Sequence, residues 1–352
     1  MSTRASMREV ALRQSAYVFM VFIAMAFMVI AVALVADSEQ LYTMIEQRRL
    51  DVCRMTKGSD DNRGFYTDHG DELLLGELPH TDFSKGGVYL IGSSNVECAV
   101  HFWRLQPEVK RYIHNFAVAG MNPEMQFQFV QFLIEHEGLL RAGGQRTMFV
   151  IGTSYQSTGP EYVDGAYFPN LAARHGIYMA SKEGGFVMSV SPFVRSLIAE
   201  GVCAVSFLNT IRTDPWVWSK PAGNYVRKHN LDEYRKFRSR MMGDQWERKI
   251  TTQVSYMGQM LDYIRNRGAK VVVVLLPLGS WEQTLPYAPP FNKAIVELCD
   301  NKQIDLHDWS QMLDDDEFAD SVHPNVRGAD KLNNAFLELA KPHLRSTGVS
   351  QD

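Results

Sequence analysis

Cysteine is scarce in this chain and carries no pattern. Four of 352 residues are cysteine (Cys53, Cys98, Cys203 and Cys299), with no CxxC pair and no histidine at metal-ligand spacing. A zinc site is therefore not expected. An excess of positive charge is also lacking. Lys and Arg total 36 against 40 Asp and Glu, for a net charge of −4, and no long basic run occurs. Nucleic acid is excluded as an expected partner. No internal repeat and no low-complexity tract is visible, so the chain is not a solenoid. Hydrophobic residues make up 45% of the chain, enough to bury a sizeable core.

Long apolar runs are absent but for one. Residues 16–36 carry no charge and are rich in Val, Met, Phe, Ile and Ala. A helix of that length covers a hydrocarbon core of about 30 Å. Arg4, Arg8 and Arg13 precede it, and Asp37, Glu39 and Glu46 follow it. The positive-inside rule then keeps the N-terminus in the cytoplasm and puts everything after residue 37 outside. Ala31-Val32-Ala33 also fits a signal-peptide cleavage site, although the run exceeds the roughly 7–15 apolar residues of a signal. Both readings deliver the domain to the same side. The expectation is one N-terminal transmembrane helix, single-pass in the cytoplasmic (inner) membrane, with the C-terminal domain facing the periplasm or cell exterior. In that setting one disulfide is open, and the sequence does not select its pair.

The organisation that follows is residues 1–36 as cytoplasmic tip and anchor, residues 37–84 as a juxtamembrane stalk, and residues 85–352 as a folded domain. From residue 86 strands and helices alternate. Strands are expected at Val88–Ile91, Asn115–Ala119, Thr147–Ile151, Lys270–Leu276 and Gln303–Leu306. Helices are expected near Asn95–Gln106, Pro123–Arg141, Gln245–Arg267, Pro290–Asn301 and Asn325–Leu344. This rhythm predicts an α/β fold, a doubly wound parallel sheet with right-handed crossovers. Residues 155–244 interrupt it as an insertion with Gly-Pro turns and aromatics, placed to shape a cleft. The apolar segment Phe193–Ile211 within it is broken by Arg195 and Glu200, so a second span is not expected.

Two stretches carry chemistry. In Gly92-Ser93-Ser94-Asn95 the first strand ends on small residues and a helix begins. Such a turn stands a hydroxyl at the carboxyl end of a sheet, beside a helix N-terminus. The plain alternative is a helix cap. Near the C-terminus, Asp320-Ser321-Val322-His323-Pro324 precedes the last helix. There an Asp three residues before a His can orient an imidazole that takes a proton from a serine.

Together the two stretches resemble the SGNH, or GDSL-like, hydrolase superfamily. The family's first block is Gly-Asp-Ser-x, and here Ser94 falls on its nucleophile and Ser93 on its Asp. Its last block matches directly in Asp320 and His323. The resemblance covers about residues 86–154 and 245–345. It implies a three-layer α/β/α fold, a triad of Ser94, Asp320 and His323, and an oxyanion hole built from the N–H groups of Ser94 and Gly120. The family's third block, normally Gly-x-Asn-Asp, reads Gly152-Thr153-Ser154-Tyr155. Ser154 thus replaces an Asn donor, and Asn122 or Asn95 is the alternative. Asn95 and Tyr155 are expected to touch substrate. Ser93 is the other candidate for the exposed serine.

With the anchor and the double serine, the chain is similar to membrane-anchored extracytoplasmic SGNH proteins of the D-alanyl-transfer and alginate-acetylation types. These work beside polytopic membrane-bound O-acyltransferases. That resemblance implies acyl transfer to an envelope or secreted polysaccharide without a cofactor. The alternatives are a carboxylester hydrolase on acylated sugars or lipids, and a catalytically silent scaffold that docks a membrane acyltransferase. His101, His114 and Cys98 read as core or surface. Asp305, His307 and Asp308 read as loop and cap residues, and the run Asp314–Glu317 as a solvated face with calcium as the minor alternative.

Overall fold

Why the chain builds a sheet is plain from its β-branched runs, and the sheet is the frame for everything else. The computed structural model describes residues 17–24, 27, 63–65, 78, 81–100, 109, 111–159, 178–180, 186–188, 219–221, 231–319 and 322–348. Five parallel strands lie in one sheet: β1 (Gly87–Ile91), β2 (Ile113–Asn115), β3 (Thr147–Thr153), β4 (Lys270–Leu275) and β5 (Asp305–Asp308). Their order is β2-β1-β3-β4-β5. Every residue of β1 and β3 is buried, as are five of the six in β4. Continuous apolar strands of this kind belong to a parallel sheet covered on both faces.

Alternate side chains feed two cores. Tyr89, Ile91, Phe149, Ile151, Val271 and Val273 point to one face. There they meet Phe129 and Leu133 of α2 (Pro123–Glu135), Met257 and Leu261 of α4 (Trp246–Arg265), and Phe291 and Ile295 of α6 (Ala288–Lys302). Val88, Leu90, Met148, Val150, Val272 and Val274 point to the other face. They meet Val96 of α1 (Ser94–Glu97) and Leu332, Phe336, Ala340 and Leu344 of α7 (Val326–Ser346). Residues 332, 336, 340 and 344 recur every fourth position, one stripe of a helix. Each large apolar side chain so buried contributes about 1.5–3 kcal/mol. The result is three layers, helix on sheet on helix. Two further helices complete the described set, α3 (Leu231–Met242) and the short α5 (Ser280–Gln283).

Several expected boundaries shift. β2 ends at Asn115 rather than Ala119. The Asn115 side chain takes over there, its Oδ1 accepting the Ala117 N–H at 3.1 Å. Pairing continues beyond the strand, since Phe116 N–H reaches Leu90 O and Val118 N–H reaches Gly92 O. The helix expected over Asn95–Gln106 stops at Glu97, and residues 101–108 lie outside the described residues. α2 stops at Glu135, ahead of Gly138 at φ 71°. β3 runs on to Thr153, and β5 occupies Asp305–Asp308 rather than Gln303–Leu306. Asp305, His307 and Asp308 are therefore strand residues. Part of the expected insertion is helix, namely α3.

Of the expected anchor, residues 17–24 and 27 are helical, with Phe19, Phe22 and Phe27 exposed. The rest of residues 16–36 lies outside the described residues. Among the described residues no helix is long and apolar enough to cross a membrane. The strand Arg63–Phe65 of the expected stalk pairs antiparallel with Ser219–Pro221 of the expected insertion. Phe193–Ile211, His101, Cys53 and Cys203 lie outside the described residues. Cys98 and Cys299 are buried thiols, neither in a disulfide among the described residues, and burial pushes the Cys299 thiol up to about 11.

Candidate active site

Strand order 2-1-3-4-5 has its switch point between β1 and β3, where open α/β sheets bind ligands at the carboxyl ends of their strands. Ser94 follows β1 there, and Ser154 follows β3. The turn after β1 is made possible by two glycines. A Cβ on Gly92 would lie 2.3 Å from Val96 Cγ2, and one on Gly152 would meet the same methyl at 2.3 Å. Val96 thus wedges α1 onto the ends of both strands. Asn115 locks it, donating from Nδ2 to Val96 O and Val100 O at 3.0 Å each.

Ser93 sits at the N-cap position but makes no side-chain cap bond, and it is buried. Ser94 is the more open of the two. Its Oγ lies 2.8 Å from His323 Nε2, a contact between residues 229 apart in sequence. The geometry suits a neutral imidazole accepting the serine proton.

The loop that carries His323 is built from polar side chains. Asp314 and Glu317 form a capping box. Ala319 N–H donates to His323 O and Asn325 N–H to Glu317 O, both at 2.8 Å. Asn325 is fully buried; its Oδ1 accepts the Arg327 and Gly328 N–H groups, and its Nδ2 donates to Asp316 O at 2.7 Å. Arg327 pairs with Asp316 at 2.8 Å and Lys331 with Glu317 at 2.7 Å. Asp315 accepts both the N–H and the hydroxyl of Ser280 at 2.7 Å. Asp314 and Asp315 are exposed and Asp316 is half-exposed, as a solvated face requires, whereas Glu317 is buried, and each carboxylate of the run holds a named partner. Asp320 and Ser321 lie outside the described residues, so the expected third member of the triad does too. Among the described residues no cluster of His, Cys, Asp or Glu could hold a metal ion.

Gly120 stands half-exposed at φ 79°, a conformation that suits glycine. Its N–H and that of Ser94 donate to no described residue. Ser154 is buried, and its Oγ has no hydrogen-bond partner among the described residues. A buried hydroxyl left so costs about 1–3 kcal/mol. Asn122, the alternative donor, caps α2 with its Oδ1, which accepts Met125 N–H at 3.0 Å. Asn95, expected to touch substrate, is buried, and its Nδ2 turns to Val322 O at 3.5 Å, towards the histidine loop. Tyr155 is corrected more sharply: it is fully buried, packs on Tyr287 with ring centroids 5.8 Å apart, and donates its hydroxyl to Glu282. An aromatic at a strand end is here part of the core. Cys98 is 1% exposed and packs, with its N–H on Ser94 O. His114 is likewise core, stacked on Tyr89.

Sequence reasoning missed Asn115, Arg238 and Glu282. Asn115 closing a strand next to the nucleophile turn was a readable signal. Nothing in the sequence marks Glu282 as buried.

No protein-family model matches the chain, and a search of curated proteins finds no match. Among solved structures, one similar chain is a Bacteroides fragilis protein described as a "putative acylhydrolase". It is 14% identical, with 77% of this chain and 93% of that chain covered and a TM-score of 0.38. A Bacillus subtilis protein is 11% identical, with 75% of this chain and 57% of that chain covered and a TM-score of 0.33. Likenesses this distant say nothing about activity.

Proposed function

We propose that this chain is a membrane-anchored, extracytoplasmic serine acyltransferase that moves an acetyl or other acyl group onto an envelope or secreted polysaccharide. The observation that carries the serine chemistry is the 2.8 Å contact between Ser94 Oγ and His323 Nε2 at the switch point of the sheet. In the first half-reaction Ser94 Oγ attacks the acyl carbonyl as His323 Nε2 takes its proton. The tetrahedral oxygen collects the N–H groups of Ser94 and Gly120, with the Ser154 hydroxyl as the third donor. The leaving group then receives the proton from His323, and the acyl group stays on Ser94. In the second half-reaction a sugar hydroxyl gives its proton to His323 and takes the acyl group, and Ser94 regains its proton. Asp320 is the orienting carboxylate in this reading.

The uncharged run at residues 16–36, with arginines before it and acids after it, supports the anchor and the outward-facing domain. A polytopic membrane-bound O-acyltransferase is the partner this reading calls for as acyl source. The test is purified chain with an acetyl-ester chromogen, with and without acceptor oligosaccharide. Acetylated oligosaccharide, detected by mass and lost in Ser94→Ala, is the expected result. Ester turnover indifferent to acceptor, with no acetylated sugar, makes the protein an esterase instead. Polymer acylation in cells that persists with Ser94→Ala but vanishes on deletion of the protein makes it a scaffold.

A further inference from the structure

Glu282 is fully buried at the centre of a network that the serine chemistry does not use directly. Its Oε1 accepts from Arg238 Nε at 2.8 Å and from Gln156 Nε2 at 3.0 Å, and its Oε2 accepts the Tyr155 hydroxyl. The Arg238 side chain is itself only 7% exposed. Taking both ions out of water is costly, and an apolar pair of similar volume would hold α3 against α5 at least as well. The ion pair alone therefore adds little stability, although the carboxylate also satisfies the buried Tyr155 hydroxyl and the Gln156 amide. What the carboxylate adds is direction. Tyr155 and Gln156 come immediately after Ser154, in a turn closed by Ser157 Oγ on Ser154 O at 2.7 Å and Thr158 Oγ1 on Tyr155 O at 2.5 Å. The same four-residue helix reaches the other half of the site through Ser280, which binds Asp315 in the loop leading to His323.

We propose that Glu282 is a positioning residue: paired with Arg238, it fixes the Tyr155–Thr158 turn and, through it, the place of the Ser154 hydroxyl against the developing oxyanion. The inference rests on the serine reading above. Glu282 touches no reacting atom, so its loss changes the acylation rate and leaves ester binding nearly alone.

The test measures kcat and KM on an acetyl-ester chromogen, and thermal melting, for the full chain and three variants. Glu282→Gln is expected to lower kcat about ten- to hundredfold with KM changed by no more than about twofold, the scale of a misplaced catalytic group. Tyr155→Phe removes only the hydroxyl on Glu282 and is expected to lower kcat by about threefold with the fold intact. Arg238→Met/Glu282→Leu removes both ions but leaves the buried Tyr155 hydroxyl and the Gln156 amide without their acceptor, and is expected to fold, to melt somewhat below the wild-type temperature and to keep the low kcat. Recovery of kcat in that double variant reduces Glu282 to a structural role and overturns the proposal. If the double variant fails to fold, a wild-type kcat in folded Tyr155→Phe overturns it alone. A wild-type protein that turns over no ester and takes no serine label sinks the serine reading and this inference together, whereas an active wild type with unchanged variants sinks this inference only.

Discussion

The two segments that meet at the site are held in opposite ways. The turn carrying Ser94 is fixed by backbone and close packing: glycines at residues 92 and 152 admit Val96, and Asn115 clamps the carbonyls of α1. The loop carrying His323 is fixed by side-chain carboxylates and their cations, three of the four near the surface. The first segment has no slack, because a packed core accepts no added methyl without displacement. The second is made of many small terms, each of which is weak where water screens it. Rigidity is concentrated at the nucleophile and spread out at the base.

The largest effect tests the point where the segments touch. Ser94→Ala and His323→Gln should each lower ester turnover by about 10⁴-fold or more, with melting temperature nearly unchanged. Equal activity in either variant breaks the pairing of the two segments. Next comes the packed side. Gly152→Ala puts a Cβ 2.3 Å from Val96 Cγ2 and should cost about 1–3 kcal/mol in urea unfolding, with partial recovery when Val96→Ala is added. A neutral Gly152→Ala would show that α1 is not wedged as described. Asn115→Ala removes the side-chain donor to Val96 O, which keeps the Ala99 and Val100 N–H groups, and to Val100 O just past α1, and should cost about 1–3 kcal/mol, together with slower labelling of Ser94.

A pH effect separates the site from the far end of the sheet. Burial holds the His343 imidazole below its ordinary 6.5, against the bond to the Arg146 backbone that raises it. The unfolded chain then binds this proton more readily than the folded one. Its contribution to stability is full above about pH 6.5 and is lost as pH falls from there through the lower folded value. Urea midpoints at about pH 7 and pH 5 should differ less in His343→Gln than in wild type. An unchanged difference would place the acid sensitivity elsewhere. The smallest effect belongs to the base loop. Arg327→Ala removes a pair that is 44% and 49% exposed, and should cost no more than about 1 kcal/mol, less still in high salt. A large loss there would mean the loop hangs on one contact.

The sheet was legible because its strands are pure apolar runs: Val88–Ile91, Thr147–Ile151 and Lys270–Leu276 admit little else between their glycines. Ser94 and His323 were legible because each sits on a short motif at a strand-to-helix or loop-to-helix junction. What escaped was set by side chains acting across the fold. Asn115 ends one strand and caps a helix from another segment, so both boundaries moved. α3 looked irregular because Arg235, Lys236, Arg238 and Arg240 crowd one turn and a half of it, and only Arg238 turns inward. Tyr155 looked like a substrate contact because it follows a strand end. It is core because Glu282, a carboxylate indistinguishable in sequence from a surface one, waits beneath it.

One measurement bears most directly on the meeting of Ser94 with His323: intact-mass and peptide mapping of the folded chain after a serine-reactive fluorophosphonate. A single adduct on Ser94, absent in Ser94→Ala and formed far more slowly in His323→Gln, is the predicted result. No adduct on folded wild-type protein, or an adduct on Ser93, would contradict it.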